Sequence, residues 1–368
     1  VSDLVSALRV LKLDGLDQLR SCAAAWDDLW LRSHSTRPVA RTATLVHWVH
    51  RFAPESRFCA LLVARNDGRL VAGLPLVGQR PGRLLDTGAM PHNAWSPAGD
   101  LLLCRDGDTS AAARALVGGL GELPWSLLRL EMVPVDTLPW RAFRGALADA
   151  DIPHDCRRVC DVGMIDVDRD WADYRKNWSK NHRRNITKAA NRLQQDGHLD
   201  FQLHTSFTDD AVEPLLRRGF QVEDRSWKGK SGTSVLQTPG MFEFYVGQAR
   251  LLARTGHLRV AFLTHRDRTI AFEYCLSAKG TFHSLKTGYD EAFARFSPGQ
   301  LLTQVLLNRL FLDADHRWVD FMGPMSGAMA KWRPRLYPLG RLAIARPNVS
   351  GRMMMHAYRR WWPRLRGK

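Results

Sequence analysis

The sequence has little that would tie it to secretion, to a membrane span or to a metal. Its 368 residues include six cysteines, Cys22, Cys59, Cys104, Cys156, Cys160 and Cys275. They are too few and too scattered for a disulfide framework, so free thiols in a reducing compartment are expected. His154, Cys156 and Cys160 have the look of three metal ligands, but the second cysteine pair of a structural zinc site is missing and no metal is expected. No run approaches the ~18–20 apolar residues that a membrane span needs. Val1 to Leu13 lacks a basic stretch followed by an apolar one, so no export signal is visible and a cytoplasmic protein is expected. Acids are absent from two long stretches. Arg175 to Arg192 carries seven Lys or Arg and no Asp or Glu, and Lys331 to the end carries eleven and none.

What is present is an ordinary globular composition with a strong positive bias. Apolar residues make up 45% of the chain, which argues against wholesale disorder. The length corresponds to two or three domains at ~100–200 residues each. The net charge of +16 favours anionic partners such as nucleotide phosphates, tRNA, anionic lipid headgroups or acidic sugars, and says nothing about fold.

The pattern repeats. Cys59–Arg65 and Leu70–Val77 are apolar runs joined by Asn66-Asp67-Gly68, a hairpin signal. Some way along, Arg259–Leu263 and Ile270–Ser277 are joined through His265-Arg266-Asp267-Arg268. Each hairpin precedes a third strand, a helix and a further strand: Leu101–Leu103, Ser110–Leu120 and Ser126–Met132 first, then Thr281–Tyr289, Gln300–Leu312 and Trp318–Phe321. That order predicts an α/β (α+β) protein of two similar domains, each a twisted mixed sheet flanked by helices. The reading places one domain at 1–160, a second at 161–350 and a basic aromatic tail at 351–368. A long helix is expected from Trp171 to Gln195, and two more near Asp209–Glu223 and Pro239–Thr255.

Several strings in the second half resemble the CelD/BioF-type branch of the GNAT acyltransferase superfamily. They are Ser226-Trp227-Lys228-Gly229, Ile270-Ala271-Phe272-Glu273-Tyr274, Leu285-Lys286-Thr287-Gly288-Tyr289-Asp290, Phe296-Ser297-Pro298-Gly299-Gln300-Leu301-Leu302, and Val319-Asp320-Phe321-Met322-Gly323 followed by Lys331-Trp332. The resemblance implies a tandem GNAT architecture, shared with the FemABX peptidoglycan aminoacyltransferases. It also implies acyl transfer, with acetyl-CoA or another acyl-CoA as co-substrate. One place departs from ordinary GNATs: where they carry an Arg/Gln-x-x-Gly-x-Gly/Ala pyrophosphate loop, this chain reads Arg295-Phe296-Ser297-Pro298-Gly299-Gln300-Leu301. The fold inference survives that difference, whereas the identity of the acyl carrier does not follow from it.

The chemistry of acyl transfer needs a proton acceptor, a polarised carbonyl and protonation of the leaving group. Ser297-Pro298-Gly299 ahead of an apolar helix offers free N–H groups and a partial positive charge to a phosphate, with Arg295, Gln300 and Leu301 beside it. Glu273, in the middle of an apolar strand, reads either as a general base whose pKa burial would raise or as an outward-facing residue. Asp320 ends a strand at the ligand-binding edge of an α/β sheet, where it would orient an amine, act as base, or bond to its own loop. Tyr289 is placed to protonate a departing thiolate or to pack. Lys286 and Lys331 are candidate anion or carbonyl contacts. Trp227 and Lys228 read either as a lid over the acceptor, with Glu223 ahead of them for an amine, or as a loop anchored by its Trp. The cationic stripe of the 175–192 helix and the Arg/Trp/Met tail fit either solvated or packed faces or contact with RNA or an anionic membrane, and they leave two alternatives open: an aminoacyl-tRNA-dependent transferase, or a non-catalytic basic module of a polysaccharide or membrane assembly. Two fused halves would let the protein act as a monomer.

Overall fold

The computed structural model of the chain describes residues 8–80 and 86–365. In chain order the strands and helices begin β1 (Arg9–Asp14), α1 (Leu16–Ser21), α2 (Ala23–Arg32), α3 (Thr42–Phe52), β2 (Phe58–Ala64), β3 (Leu70–Gln79), β4 (Thr87–Ala89), β5 (Leu102–Leu103), α4 (Thr109–Gly118), β6 (Leu127–Val133), α5 (Leu138–Asp149) and β7 (His154–Asp166). They continue α6 (Trp171–Lys176), α7 (Lys180–Asp196), β8 (Leu199–His204), α8 (Asp209–Asp224), α9 (Trp227–Lys230), α10 (Met241–Arg254), β9 (Leu258–His265), β10 (Arg268–Ala278) and β11 (Thr281–Tyr289). The last are α11 (Pro298–Phe311), β12 (Trp318–Pro324), α12 (Gly327–Ala330), β13 (Arg335–Ala345) and α13 (Val349–Leu365).

Contact density separates two units. One takes the chain up to Ser35, Val39–Cys160 and the chain from Pro338, and the other takes Thr36–Pro38 with Asp161–Tyr337. The segment 338–350, which the sequence reading groups with the second half, thus belongs to the first unit. The reason is pairing: Gly340 to Ala345 of β13 run antiparallel to β6. The start of the basic tail is a helix on the same unit, held through Met355 against Leu127, Ala343 and Ala345 and through ion pairs Arg352–Asp151 and Arg359–Asp155. Its last residues, 366–368, and the side chains of Trp361 and Trp362 lie outside the described residues. All six cysteines are free thiols.

In the first unit the sheet order is β1-β2-β3-β4-β6-β13, with β5 paired to β3. The strand that stands parallel to β6 is β4, and not Leu101–Leu103 as the sequence suggests. Its residues Thr87-Gly88-Ala89 are small because Trp125 lies against them: a Cβ at Gly88 would sit 2.5 Å from that indole. A strand of three residues with no large apolar side chain gives little periodic signal.

In the second unit the order is β7-β12-β11-β10-β9-β8. Every residue of β10 from Thr269 to Leu276 is buried, because helices cover both faces. On one face α8 and α10 contribute Phe220 against Phe272 and Tyr245 against Tyr274. On the other, Leu301, Leu302, Leu306 and Leu310 of α11 join Ile186 and Leu193 of α7. The expected single helix from Trp171 is broken into α6 and α7. Ser179 starts a new helix by accepting a hydrogen bond from the His182 N–H, and Trp171, Tyr174 and Trp178 pack together ahead of it.

Helix α8 approaches β11 so closely that a Cβ at Gly288 would lie 2.7 Å from the Glu223 Cα. The Glu223 N and Cβ follow at 2.9 Å, and none of these atoms can rotate away. Gly288→Ala should therefore lower the unfolding free energy by about 1–3 kcal/mol in urea melts. Gly145→Ala in α5, where a Cβ meets nothing within 4 Å, should be neutral or slightly stabilising.

Candidate functional site

Strands β11 and β12 run parallel for three register pairs, Thr281 with Trp318, Phe282 with Val319 and His283 with Asp320, and then part. Asp320 sits at the point of parting. Its Oδ1 accepts the Met322 N–H at 2.8 Å, and Met322 adopts a left-handed backbone, φ 54°, that turns β12 aside. A side chain in that region costs roughly 1–2 kcal/mol, so the hydrogen bonds around Asp320 must offset it. The Tyr337 hydroxyl donates to both carboxylate oxygens at 3.0 Å, and His283 Nδ1 stands 3.6 Å from Oδ2. Burial alone would raise the Asp320 pKa, but His283, Arg37 and the Met322 N–H hold it below the ordinary carboxylate range.

The gap past this fork is a cavity of about 350 Å³. Glu273 and Ser284 form its floor, Thr287, Gly288 and Tyr289 one wall, and Ser297 to Gln300 its rim. Phe321, Met329, Lys331 and Trp332 complete the lining. Glu273 is 5% exposed and accepts a short hydrogen bond from the Ser284 hydroxyl. Burial raises its pKa; the bonds from Ser284 and Cys275 oppose that and do not cancel it. A β-bulge between Tyr274 and Cys275 shifts the register of β10 against β11 there, pairing Cys275 with Ser284. The Cys275 thiol is itself pushed well up by burial and by the neighbouring carboxyl, so it is an inert group at neutral pH.

At the rim, Ser297 is left-handed, φ 50°, and Pro298 takes the first helical position of α11. Gln300 and Leu301 already donate to the Ser297 carbonyl. Pro298 has no N–H, so the Gly299 N–H is the one that opens the helix, beside Tyr289. The Gln300 Oε1 is buried without a hydrogen-bond partner among the described residues. Leu301 is core, and Arg295 is exposed, lying over the Phe296 ring at 4.6 Å and off the cavity wall.

The residues around the Ser226 string form a separate cluster with α8 and α10. The Ser226 hydroxyl caps α9, and a Cβ at Gly229 would overlap the Asp224 carbonyl. Lys228 Nζ lies 2.7 Å from the buried Glu223 carboxylate and 3.0 Å from the Thr287 carbonyl, and Glu223 also accepts the Val235 N–H. Trp227 is 58% exposed. Lys286 stands over the Tyr245 ring, its pKa lowered to about 8 by burial and by the Lys228 cation, with Glu223 opposing. The structure therefore brings Glu273, Tyr289, Ser297, Gly299, Gln300 and Lys331 to one cavity and groups Glu223, Lys228 and Lys286 elsewhere. Ser284 and Tyr337 are absent from the sequence reading, and Asp290 appears there only as the end of a string, without a role. Ser284 and Tyr337 each act on a carboxylate distant in sequence, and Asp290 clamps Arg225 and Arg268 at 2.7 and 2.6 Å. No local pattern announces any of these pairings. Among the described residues no group of His, Cys, Asp or Glu is arranged to hold a metal ion, and no helix is long and apolar enough to cross a membrane.

A forked pair of parallel strands with a helix N-terminus at its mouth defines the class: a GNAT-like mixed α/β fold. The family described as the acetyltransferase (GNAT) domain matches residues 180–330, which supports an acyltransferase. No curated protein matches the sequence. Among solved structures the chain is similar to FemX, with a TM-score of 0.61 at 10% identity over 91% of this chain and 96% of that one. It is also similar to the C-terminal domain of a putative lysylphosphatidylglycerol synthetase from Agrobacterium fabrum, with a TM-score of 0.53 at 13% identity over 92% and 95% of the two chains. A third is L-PGS from Bacillus licheniformis, with a TM-score of 0.51 at 13% identity over 93% and 96%. At these identities the likeness is one of fold.

The depressed Lys286 gives a signed expectation. Between about 8 and its ordinary value of 10.5, the unfolded chain holds a proton there that the folded chain has lost, so folding gains as pH rises through that window. Thermal melts of the wild type and Lys286→Met should show the difference moving in favour of the wild type from pH 8 to 10. A constant difference would mean that Lys286 is not desolvated.

Proposed function

We propose that the second unit moves an acyl group from an acyl-CoA to an amine or hydroxyl of a small-molecule or saccharide acceptor, by direct attack. The observation that carries this is the cavity in the strand fork, which has a buried, protonatable carboxyl on its floor and an open helix N-terminus on its rim. Ser297, Gly299 and Gln300 take the anionic handle of the donor, and Lys331 adds positive charge to the cavity lining. The acyl carbonyl then lies in the gap above Glu273. As the acceptor nitrogen or oxygen bonds to the acyl carbon, its proton passes to the ionised Glu273 and the carbon–sulfur bond breaks. Tyr289, beside Gly299, gives its proton to the departing thiolate and regains one from the proton held on Glu273 through solvent. Asp320, bonded to the Met322 N–H and the Tyr337 hydroxyl, keeps the fork open rather than titrating. Glu223, Trp227, Lys228 and Lys286 are assigned to the acceptor side and Arg295 to long-range attraction of the donor. Within the class, the strings around Trp227 and Gly288 favour the CelD/BioF branch.

Glu273→Gln should keep the fold and cut kcat by about 10²–10⁴-fold. Because a raised carboxyl becomes a base only above its own pKa, the rate should climb with pH through a value above the ordinary carboxyl range. Ser284→Ala removes a bond that lowers that pKa and should move the climb to higher pH. Calorimetry with acetyl-CoA and longer acyl-CoAs tests the donor; failure of every one to bind folded protein would remove the CoA reading.

A second reading keeps the chemistry and changes the carrier to aminoacyl-tRNA. It rests on Lys180, Arg184, Lys188 and Arg192 of α7, all exposed, one per turn, and without an ion-pair partner among the described residues. Uncompensated like charges at i, i+4 spacing repel and favour an extended anion. The similarity to FemX and to lysylphosphatidylglycerol synthetases is compatible with it. Under this reading Arg184→Glu with Lys188→Glu should weaken tRNA binding and flatten its salt dependence, with the slope of log K against log salt falling by about 0.9 per lost phosphate contact. Salt-independent or absent tRNA binding at low ionic strength would leave the CoA reading alone.

A further inference from the structure

The first unit holds a cavity of about 440 Å³ that acyl transfer in the second unit does not use. It lies where α4 and α5 end, against the start of β6 and the end of β13. Its walls are mainly apolar, from Val117, Leu120, Leu128, Ala146, Ile152 and Ile344. Space there comes from missing side chains: Gly118 and Gly121 line it, and a Cβ on either would meet nothing within 4 Å. Arg346 brings a guanidinium to the wall, and its Nε has no hydrogen-bond partner among the described residues. Arg346 is fixed in place, since its Nη2 donates to the Leu123 carbonyl at 2.6 Å and its backbone N–H to the Ser126 carbonyl at 3.1 Å. Arg114 adds a second cation to the wall and Asp149 a single acid.

A donor without an acceptor is costly, and a void of this size is in the range of small-molecule sites, where apolar walls surround a few oriented polar groups. We propose that this cavity binds a carboxylic acid with an aliphatic tail, its tail against α4 and α5 and its carboxylate on the Arg346 guanidinium. Positive charge exceeds negative on the walls, which selects an acid over an amine of equal length.

The test uses the full chain with decanoate, decylamine and decanol as probes, read by calorimetry and thermal shift. Decanoate should bind and raise the melting temperature, with decanol weaker and decylamine weakest. Gly118 has helical backbone angles, φ −58° and ψ −32°, so Gly118→Leu should fold normally while filling the void and abolishing decanoate binding. Arg346→Gln should weaken decanoate by about tenfold or more and leave decanol unchanged, since a hydrogen bond to a charged group contributes about 1.5–3 kcal/mol. Glu273→Gln should bind decanoate like the wild type, which separates this site from the transfer cavity. Decanoate binding that survives Gly118→Leu, equal binding of decylamine, or no binding to the wild type would each overturn the proposal.

Discussion

The hydrogen bonds that converge on the Asp320 carboxylate hold the candidate site open. Parallel strands have no intrinsic reason to separate after three pairs, and the left-handed Met322 is unfavourable by itself. A carboxylate that accepts its own loop's N–H and the Tyr337 hydroxyl, with His283 and Arg37 nearby, makes the parted arrangement the lower-energy one. The cavity, the access to Glu273 and the position of the α11 terminus all follow from that separation. Asp320 is thus the ionised carboxyl whose charge is fully used, while Glu273, on the neighbouring strand pair, is the one left able to exchange a proton.

The two carboxyls show how environment divides labour between like groups. Both are buried. Asp320 faces cationic or donor groups and is held low, whereas Glu273 faces a hydroxyl, a thiol and apolar walls and is held high. The same logic separates the lysines. Lys228 has Glu223 and a main-chain carbonyl within hydrogen-bond reach, whereas at Lys286 burial and the Lys228 cation outweigh the attraction of Glu223.

Much of this was legible before the structure. The hairpin of β9 and β10, the strand 281–289, the helix after Ser297-Pro298-Gly299 and the strand bearing Asp320 follow from apolar period, turn residues and caps, all local signals. So did the meeting of Glu273, Tyr289 and the Ser297–Gln300 turn, because adjacent strands and the following helix must pack together. What stayed hidden is non-local. The small residues of β4 carry no period, and their reason is Trp125, far along the chain. The break before α7 depends on an aromatic cluster completed by Phe311 and Trp332. The return of β13 to the first unit could not be seen because an apolar strand pairs equally well, on pattern alone, with either sheet.

That last feature bears on how the protein is made. The strand that pairs with β6 lies at Gly340–Ala345, so the first unit cannot complete its sheet until the chain through Ala345 has left the ribosome. The second unit, apart from the short run Thr36–Pro38, is synthesised as one insertion and can gain most of its own contacts earlier. During translation the amino-terminal half would wait with the flank of β6 uncovered, and that unpaired strand is where chaperone protection would matter most.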